Sequence, residues 1–234
     1  MSSVSPVAPH IRYDGTHLDP ERMAFVLPHL ADCRTVADVG CGGGKYSIEL
    51  ARRGFEVRAY DHSMELLTTV RERASTNGLK VDTARLDLTR LDEVERILEI
   101  CDALCLFDIL EHLHEDALVL RTLAQRTRKV ILINVPAETP RDWQQAGFNL
   151  SAYSDLDHKR YYTENSVRDL IQRAGLKVVQ VAKINPVFPQ SFLPLLFDER
   201  DWRSRLVRRL LAGRTKSVTY RREFNSIIAA ATLP

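Results

Sequence analysis

Residues 35–54 read "TVADVGCGGGKYSIELARRG". A short apolar run carries one carboxylate, Asp38, and ends in a glycine turn with Gly40, Gly42 and Gly44 on alternate positions. A helix opens out of that turn and stops at Gly54. Glycines let the backbone adopt positive φ and let a ligand approach closely. The following helix points its free N–H groups into the same space. The segment therefore reads as a buried strand, a ligand cradle and a helix. A dinucleotide fingerprint would need G-x-G-x-x-G. Counted from Gly40 that frame meets Lys45, and counted from Gly42 it meets Ser47, so a dinucleotide is excluded on spacing.

The same alternation continues outward. "FEVRAYD" is a second strand ending in an acid, and "SMELLTTVRERASTNG" is a helix capped by Ser63 and stopped at Gly78. "LKVDTARLDL" is a third strand, "RLDEVERILEI" a helix, "DALCLFD" a fourth strand, "DALVLRTLAQRT" a helix and "KVILINVP" a fifth strand. After an irregular stretch from about 136 to 160, "TENSVRDLIQRAG" is a helix with Thr163 as cap and "LKVVQVAKI" a sixth strand. "NSIIAAATL" makes a seventh. Before the glycine turn, "LDPERMAFVLPHL" is a helix start with Asp19 as N-cap and Pro20 in first position. Strands alternating with helices predict an α/β fold, a doubly wound parallel sheet covered on both faces. Ligands of such sheets bind beyond the carboxyl ends of the strands. Four predicted strands end in or just before acids, Asp38, Asp61, Asp87 and Asp108. One such acid is commonly a turn residue; four at equivalent ends point to a ligand.

"VADVGCGGGKYSIEL" followed by "AYD" resembles the first motif and the next acidic site of class I S-adenosylmethionine-dependent methyltransferases, over most of residues 30–185. The resemblance implies a Rossmann-like seven-stranded sheet whose last strand is antiparallel. It implies that Gly40, Cys41, Gly42 and Gly44 lie against the methionine part of S-adenosylmethionine. Asp38 would orient that loop or the amino group. Asp61 would accept from both ribose hydroxyls, with His62 beside it. Asp87 would bond the adenine amino group, with Leu88 beside it.

"FDILEHLHED", residues 107–116, places Asp108, Glu111 and His112 just beyond the fourth strand. "SDLDHKRYYT" brings Asp155, Asp157 and His158 in the irregular stretch, whose aromatic residues suggest a lid over 136–162. Methyl transfer from a sulfonium needs an aligned acceptor made nucleophilic, by a general base or by a metal. The paired segments resemble ubiquinone-biosynthesis-type O-methyltransferases and the small-RNA 2′-O-methyltransferases. The second group uses acid-x-x-Glu-His and a distant His to hold a divalent ion. Carried over, the ligands of Mg, Mn or Fe would be Asp108, Glu111, His112 and His158, with Asp108 shorter than the Glu often found there. Asp108 would also stand beside the transferable methyl. A metal-free site with His112 or His158 as base stays open, and so does a structural role. The His114-Glu115-Asp116 run reads as a solvated helix face, and Asn134-Val135-Pro136 as a strand exit or an acceptor contact.

The chain has 234 residues and a net charge of +2, ordinary for one globular domain, and we expect a single domain over 1–234. That domain divides into an arm and helix over 1–30, a core over 31–184 and an excursion over 185–225. Residues 200–222 hold nine Arg or Lys against one acid, Asp201, on a helix that could touch an anionic membrane or pack with its arginines reaching outward. No apolar run approaches ~20 residues. "MSSVSPVAPHIRYDG" lacks a basic start and an apolar stretch, so a cytoplasmic location without a secretory signal is expected. Four cysteines without a CxxC pair argue against a thiolate zinc site. The function expected is O-methylation of a small molecule with neighbouring hydroxyls. The rivals are a metal-free N- or O-methyltransferase, methylation of an RNA ribose, and a non-catalytic cofactor-binding partner. A small-molecule acceptor is favoured over nucleic acid, because one basic helix without a recognition module is weak support for RNA.

Overall fold

The structure, a computed structural model, describes residues 18–145, 150, 155–187, 202, 206 and 223–234. In chain order the elements are α1 (Pro20–His29), β1 (Thr35–Val39), α2 (Lys45–Arg52), β2 (Glu56–Asp61), α3 (Met64–Thr76), β3 (Val81–Arg85) and α4 (Leu91–Ile97). β4 (Cys101–Phe107), a 3-10 turn (Leu110–His112), α5 (Asp116–Ala124), β5 (Thr127–Pro136) and α6 (Arg141–Gln145) follow. α7 (Glu164–Arg173), β6 (Lys177–Val187) and β7 (Glu223–Thr232) complete the series. One seven-stranded sheet runs β3-β2-β1-β4-β5-β7-β6. β1 pairs in parallel with β2 and β4, and β2 with β3; β7 pairs antiparallel with β5 and β6. The expected doubly wound sheet with an antiparallel last strand is therefore present.

The caps explain where helices begin. The Asp19 carboxylate accepts from the N–H groups of Glu21 and Arg22, with Pro20 in the first turn where its missing N–H costs nothing. Ser63 caps α3, and Thr163 caps α7 in a reciprocal box with Ser166. β4 is buried at every position, as a strand covered on both faces should be. Its Cys101 and Cys105 are free thiols; burial pushes Cys101 up to about 11 and Cys105 well above its usual range.

The described residues form two compact units, Met1–Leu106 with Gln125–Val130, and Phe107–Ala124 with Ile131–Pro234. In the first, β3 stops at Arg85, short of the expected strand, so Asp87 lies in the turn beyond it. In the second, β6 and β7 run further than expected. Pro186 pairs with Phe224 and Val187 with Glu223, which narrows the 185–225 excursion at both ends. Asn185-Pro186 looks like a strand break in sequence. Cross-strand pairing overrides it, with Asn185 at φ 61.

Candidate active site

In the first unit the glycine turn is held from three directions. Gly40 and Cys41 donate their N–H groups to the Tyr60 carbonyl at 2.8 and 3.0 Å. The Gly42 N–H donates to Asp61 Oδ2 at 2.9 Å, and Arg73 Nη1 donates to the Gly43 carbonyl at 2.7 Å. Gly40, Gly42 and Gly44 all have positive φ. A Cβ on Gly44 would lie 2.7 Å from Val70 Cγ2, so only glycine fits there. A Cβ on Gly42 would meet nothing within 4 Å, which leaves open space on that side of the turn. Burial pushes the Cys41 thiol far above its usual range, so it is a small apolar group and not a nucleophile.

Asp38 is buried and accepts from Ser47 Oγ at 2.5 Å. Ser47 escaped the sequence reading, where it served only to break a glycine frame. Loss of hydration raises the Asp38 carboxyl from 3.8 to about 6, against the Ser47 hydrogen bonds that lower it. The folded value lies above the unfolded one. This group's contribution is therefore most favourable below about pH 4 and is lost as pH rises through about 6. Asp38→Asn keeps an acceptor for Ser47 and removes the titration. Urea unfolding between pH 4 and 8 should show wild type losing on the order of 2–3 kcal/mol relative to the variant. Parallel pH profiles would refute this.

Asp61 ends β2 with its side chain buried, and its Oδ1 accepts from the Ser63 N–H at 2.9 Å. His62 is mostly exposed, its Nδ1 3.3 Å from Asp61 Oδ1. Asp87 accepts at Oδ1 from Thr89 N and Oγ1, at 3.0 and 2.7 Å, which pulls its carboxyl below the usual range. Leu88 beside it is buried.

In the second unit Asp108 has φ 60, a conformation that Asp tolerates better than most residues. Its N–H donates to the Asn134 carbonyl at 2.9 Å, and its Oδ1 accepts from Asn134 Nδ2 at 2.6 Å. Asn134 is thus fully buried as a partner of Asp108. Glu111, His112 and His158 each offer one ligand atom, all within 4.8 Å of one another. Asp108 is not in that group. The Glu111 side chain is 1% exposed, and its Oε1 lies 4.0 Å from His158 Nε2. Asp155 Oδ2 lies 3.4 Å from the same nitrogen. The two imidazoles meet edge to face with centroids 4.8 Å apart, and Tyr161 flanks His158 at 5.7 Å.

Asp116 is not on the expected solvated face: it is buried, accepting from Tyr162 Oη at 3.1 Å and pairing with Arg160 Nη1 at 2.6 Å. The charge-rich HED run hides a residue whose partners lie more than forty positions away. Burial and the neighbouring Asp116 push the Tyr162 phenol well above its usual range. Of the five aromatics that suggest a lid over 136–162, Trp143's side chain, Phe148 and Tyr153 fall outside the described residues, while Tyr161 and Tyr162 are described. Of the basic stretch only Trp202 and Leu206 are described, both helical and exposed. Among the described residues no helix is long and apolar enough to cross a membrane.

A family model described as a methyltransferase domain matches residues 13–181. The chain belongs to this family. It is a class I S-adenosylmethionine-dependent methyltransferase. The ubiquinone biosynthesis O-methyltransferase of Hahella chejuensis is 33% identical over 109 residues, which cover 46% of this chain and 45% of that protein. Its namesake from Aeromonas salmonicida is 24% identical over 160 residues, covering 65% of this methyltransferase and 66% of the relative. Among solved structures, an Archaeoglobus fulgidus SAM-dependent methyltransferase superposes with TM-score 0.61 at 17% identity, covering 90% and 91% of the two chains. The magnesium protoporphyrin IX methyltransferase of Synechocystis with bound SAH gives 0.60 at 17% identity, covering 92% and 82%. At those identities the likeness speaks for the fold alone. The positive-φ glycine turn, with open space at Gly42 and the Asp61 carboxylate beside it, fits the methyltransferase's S-adenosylmethionine.

Proposed function

We propose that this methyltransferase acts on an oxygen of a small molecule with neighbouring hydroxyls, such as a catechol, a sugar or a natural-product scaffold. The gathering of Glu111, His112 and His158 into one group is the observation that carries the reading. The names of the relatives, ubiquinone biosynthesis O-methyltransferases, support it. In this reading the first unit holds the cofactor. Asp61 takes the ribose hydroxyls, Asp87 the adenine, and Asp38 with Ser47 steadies the loop. S-adenosylmethionine, when bound, supplies an electrophilic methyl on a good leaving group. The second unit handles the acceptor. His158 or His112 takes the hydroxyl proton, and the buried Glu111 carboxylate compensates the positive charge that an imidazole gains.

One carboxylate and two imidazoles also form a donor set for a six-coordinate ion with open positions. Glu111, His112 and His158 would hold it. Mg, Mn or Fe(II) would supply charge that lowers the pKa of a bound hydroxyl. The metal-free reading is favoured by Asp155, whose carboxylate 3.4 Å from His158 Nε2 would strengthen that imidazole as a base. Purified protein with S-adenosylmethionine should methylate 3,4-dihydroxybenzoate, read by mass spectrometry, and leave 4-aminobenzoate unmodified. Methylation of the amine alone would overturn the oxygen assignment. Chelator treatment followed by added Mg or Mn separates the two versions.

A further inference from the structure

We propose that Arg160, anchored on Asp116, is the positioning residue that seats His158 in the group with Glu111 and His112. Its consequence for turnover rests on the reading of that group as the acceptor site; the seating itself does not. His158 lies in irregular backbone between Asp155 and Tyr161, where no helix or strand ladder fixes it. Two residues on, one guanidinium makes three contacts. Arg160 Nη1 is 2.6 Å from Asp116 Oδ2. Nη2 donates to the carbonyls of Leu113 and His114 at 3.0 and 2.7 Å. Those carbonyls follow directly on the 3-10 turn that carries Glu111 and His112. Arg160 thus ties the His158 segment to the backbone that presents the other two members.

The neighbouring residues complete the clamp. The Lys159 N–H donates to the Glu111 carbonyl at 2.8 Å, and the Tyr162 N–H to the Pro136 carbonyl at 3.0 Å. The Asp116 side chain is 5% exposed and is fixed on its other oxygen by the Ala117 N–H at 2.7 Å. A planar fork serves a carboxylate and two carbonyls at once; a lysine ammonium is a point charge and cannot keep that geometry.

The test is histidine-selective modification with diethylpyrocarbonate, mapped by mass spectrometry. His158, with 8% of its side chain exposed, should react slowly in wild type, against His62 at 77% as internal reference. In Arg160→Met, which loses charge-assisted hydrogen bonds that hold the segment closed, the His158 rate relative to His62 should rise roughly 10–100-fold, with S-adenosylmethionine affinity unchanged. Arg160→Lys should fall between, and Asp116→Asn should follow Arg160→Met. An unchanged ratio in the variants overturns the proposal, and if Arg160→Met does not fold, Arg160→Lys is read alone. With 3,4-dihydroxybenzoate as probe, Arg160→Met should lose kcat and keep its KM for S-adenosylmethionine. Full turnover in Arg160→Met beside an inactive His158→Ala also overturns it. Full turnover in His158→Ala instead overturns the acceptor-site reading, and the modification ratio still decides Arg160.

Discussion

Asp61→Ala is expected to bind S-adenosylmethionine at least roughly 100-fold more weakly than wild type in a calorimetric titration. The carboxylate is buried at the end of β2 and already accepts from Gly42 N and Ser63 N, both at 2.9 Å. An ionised carboxylate offers about four lone-pair directions, so two remain for the ribose hydroxyls. Truncation therefore acts twice. It removes the proposed ribose acceptor, and it leaves the Gly42 N–H without the group that fixes the glycine turn. Hydrogen bonds to a charged acceptor are worth about 1.5–3 kcal/mol each, so losing two exceeds the 2.7 kcal/mol or so behind a 100-fold change. Asp61→Asn keeps one acceptor oxygen and presents an NH₂ to a donor, so it should fall between the two. Unchanged affinity in Asp61→Ala would remove Asp61 from the cofactor site. The exposed His62 has no such double role, and its truncation should cost far less.

Much of the proposed cofactor half is legible in the sequence because it is local. The glycine turn, its helix and the acid that ends β2 lie within about thirty residues, and their spacing encodes the geometry directly. Ser47 and Arg73 were invisible for a different reason. Ser47 becomes informative only once α2 turns it back to Asp38, and Arg73 only once α3 lays it along the Gly43 carbonyl.

The proposed acceptor half is assembled from segments some fifty positions apart, and the sequence offers only the residue types. It suggested four ligands; the structure gathers Glu111, His112 and His158, while Asp108 is bonded to Asn134. It also suggested that Asp116 is solvated, because a charged run looks alike whether its partner is water or Arg160. A buried ion pair leaves no periodicity to read. The β6 extension was hidden likewise: Asn185-Pro186 breaks a strand by local preference, and pairing with β7 is a long-range fact.

His158→Ala is expected to lose roughly 10²–10⁴-fold in kcat/KM toward a catechol acceptor while binding S-adenosylmethionine as tightly as wild type. The imidazole is nearly buried, against Glu111 and Asp155 at 4.0 and 3.4 Å and edge-on to His112. Alanine removes the imidazole proposed to take the acceptor's proton, so that ring no longer stands beside Glu111 to carry the charge that develops. Glu111→Gln should act through the same group, so the double variant should cost little more than either single one, as groups that act as a unit do. Elemental analysis of the same preparations separates the two chemistries. About one divalent ion in wild type that His158→Ala loses would make the cluster a chelating site for neighbouring hydroxyls. No ion after Mg, Mn or Fe(II) is supplied, with the same loss of turnover, would make His158 a base strengthened by two carboxylates. Undiminished turnover in His158→Ala would move the chemistry away from this cluster altogether.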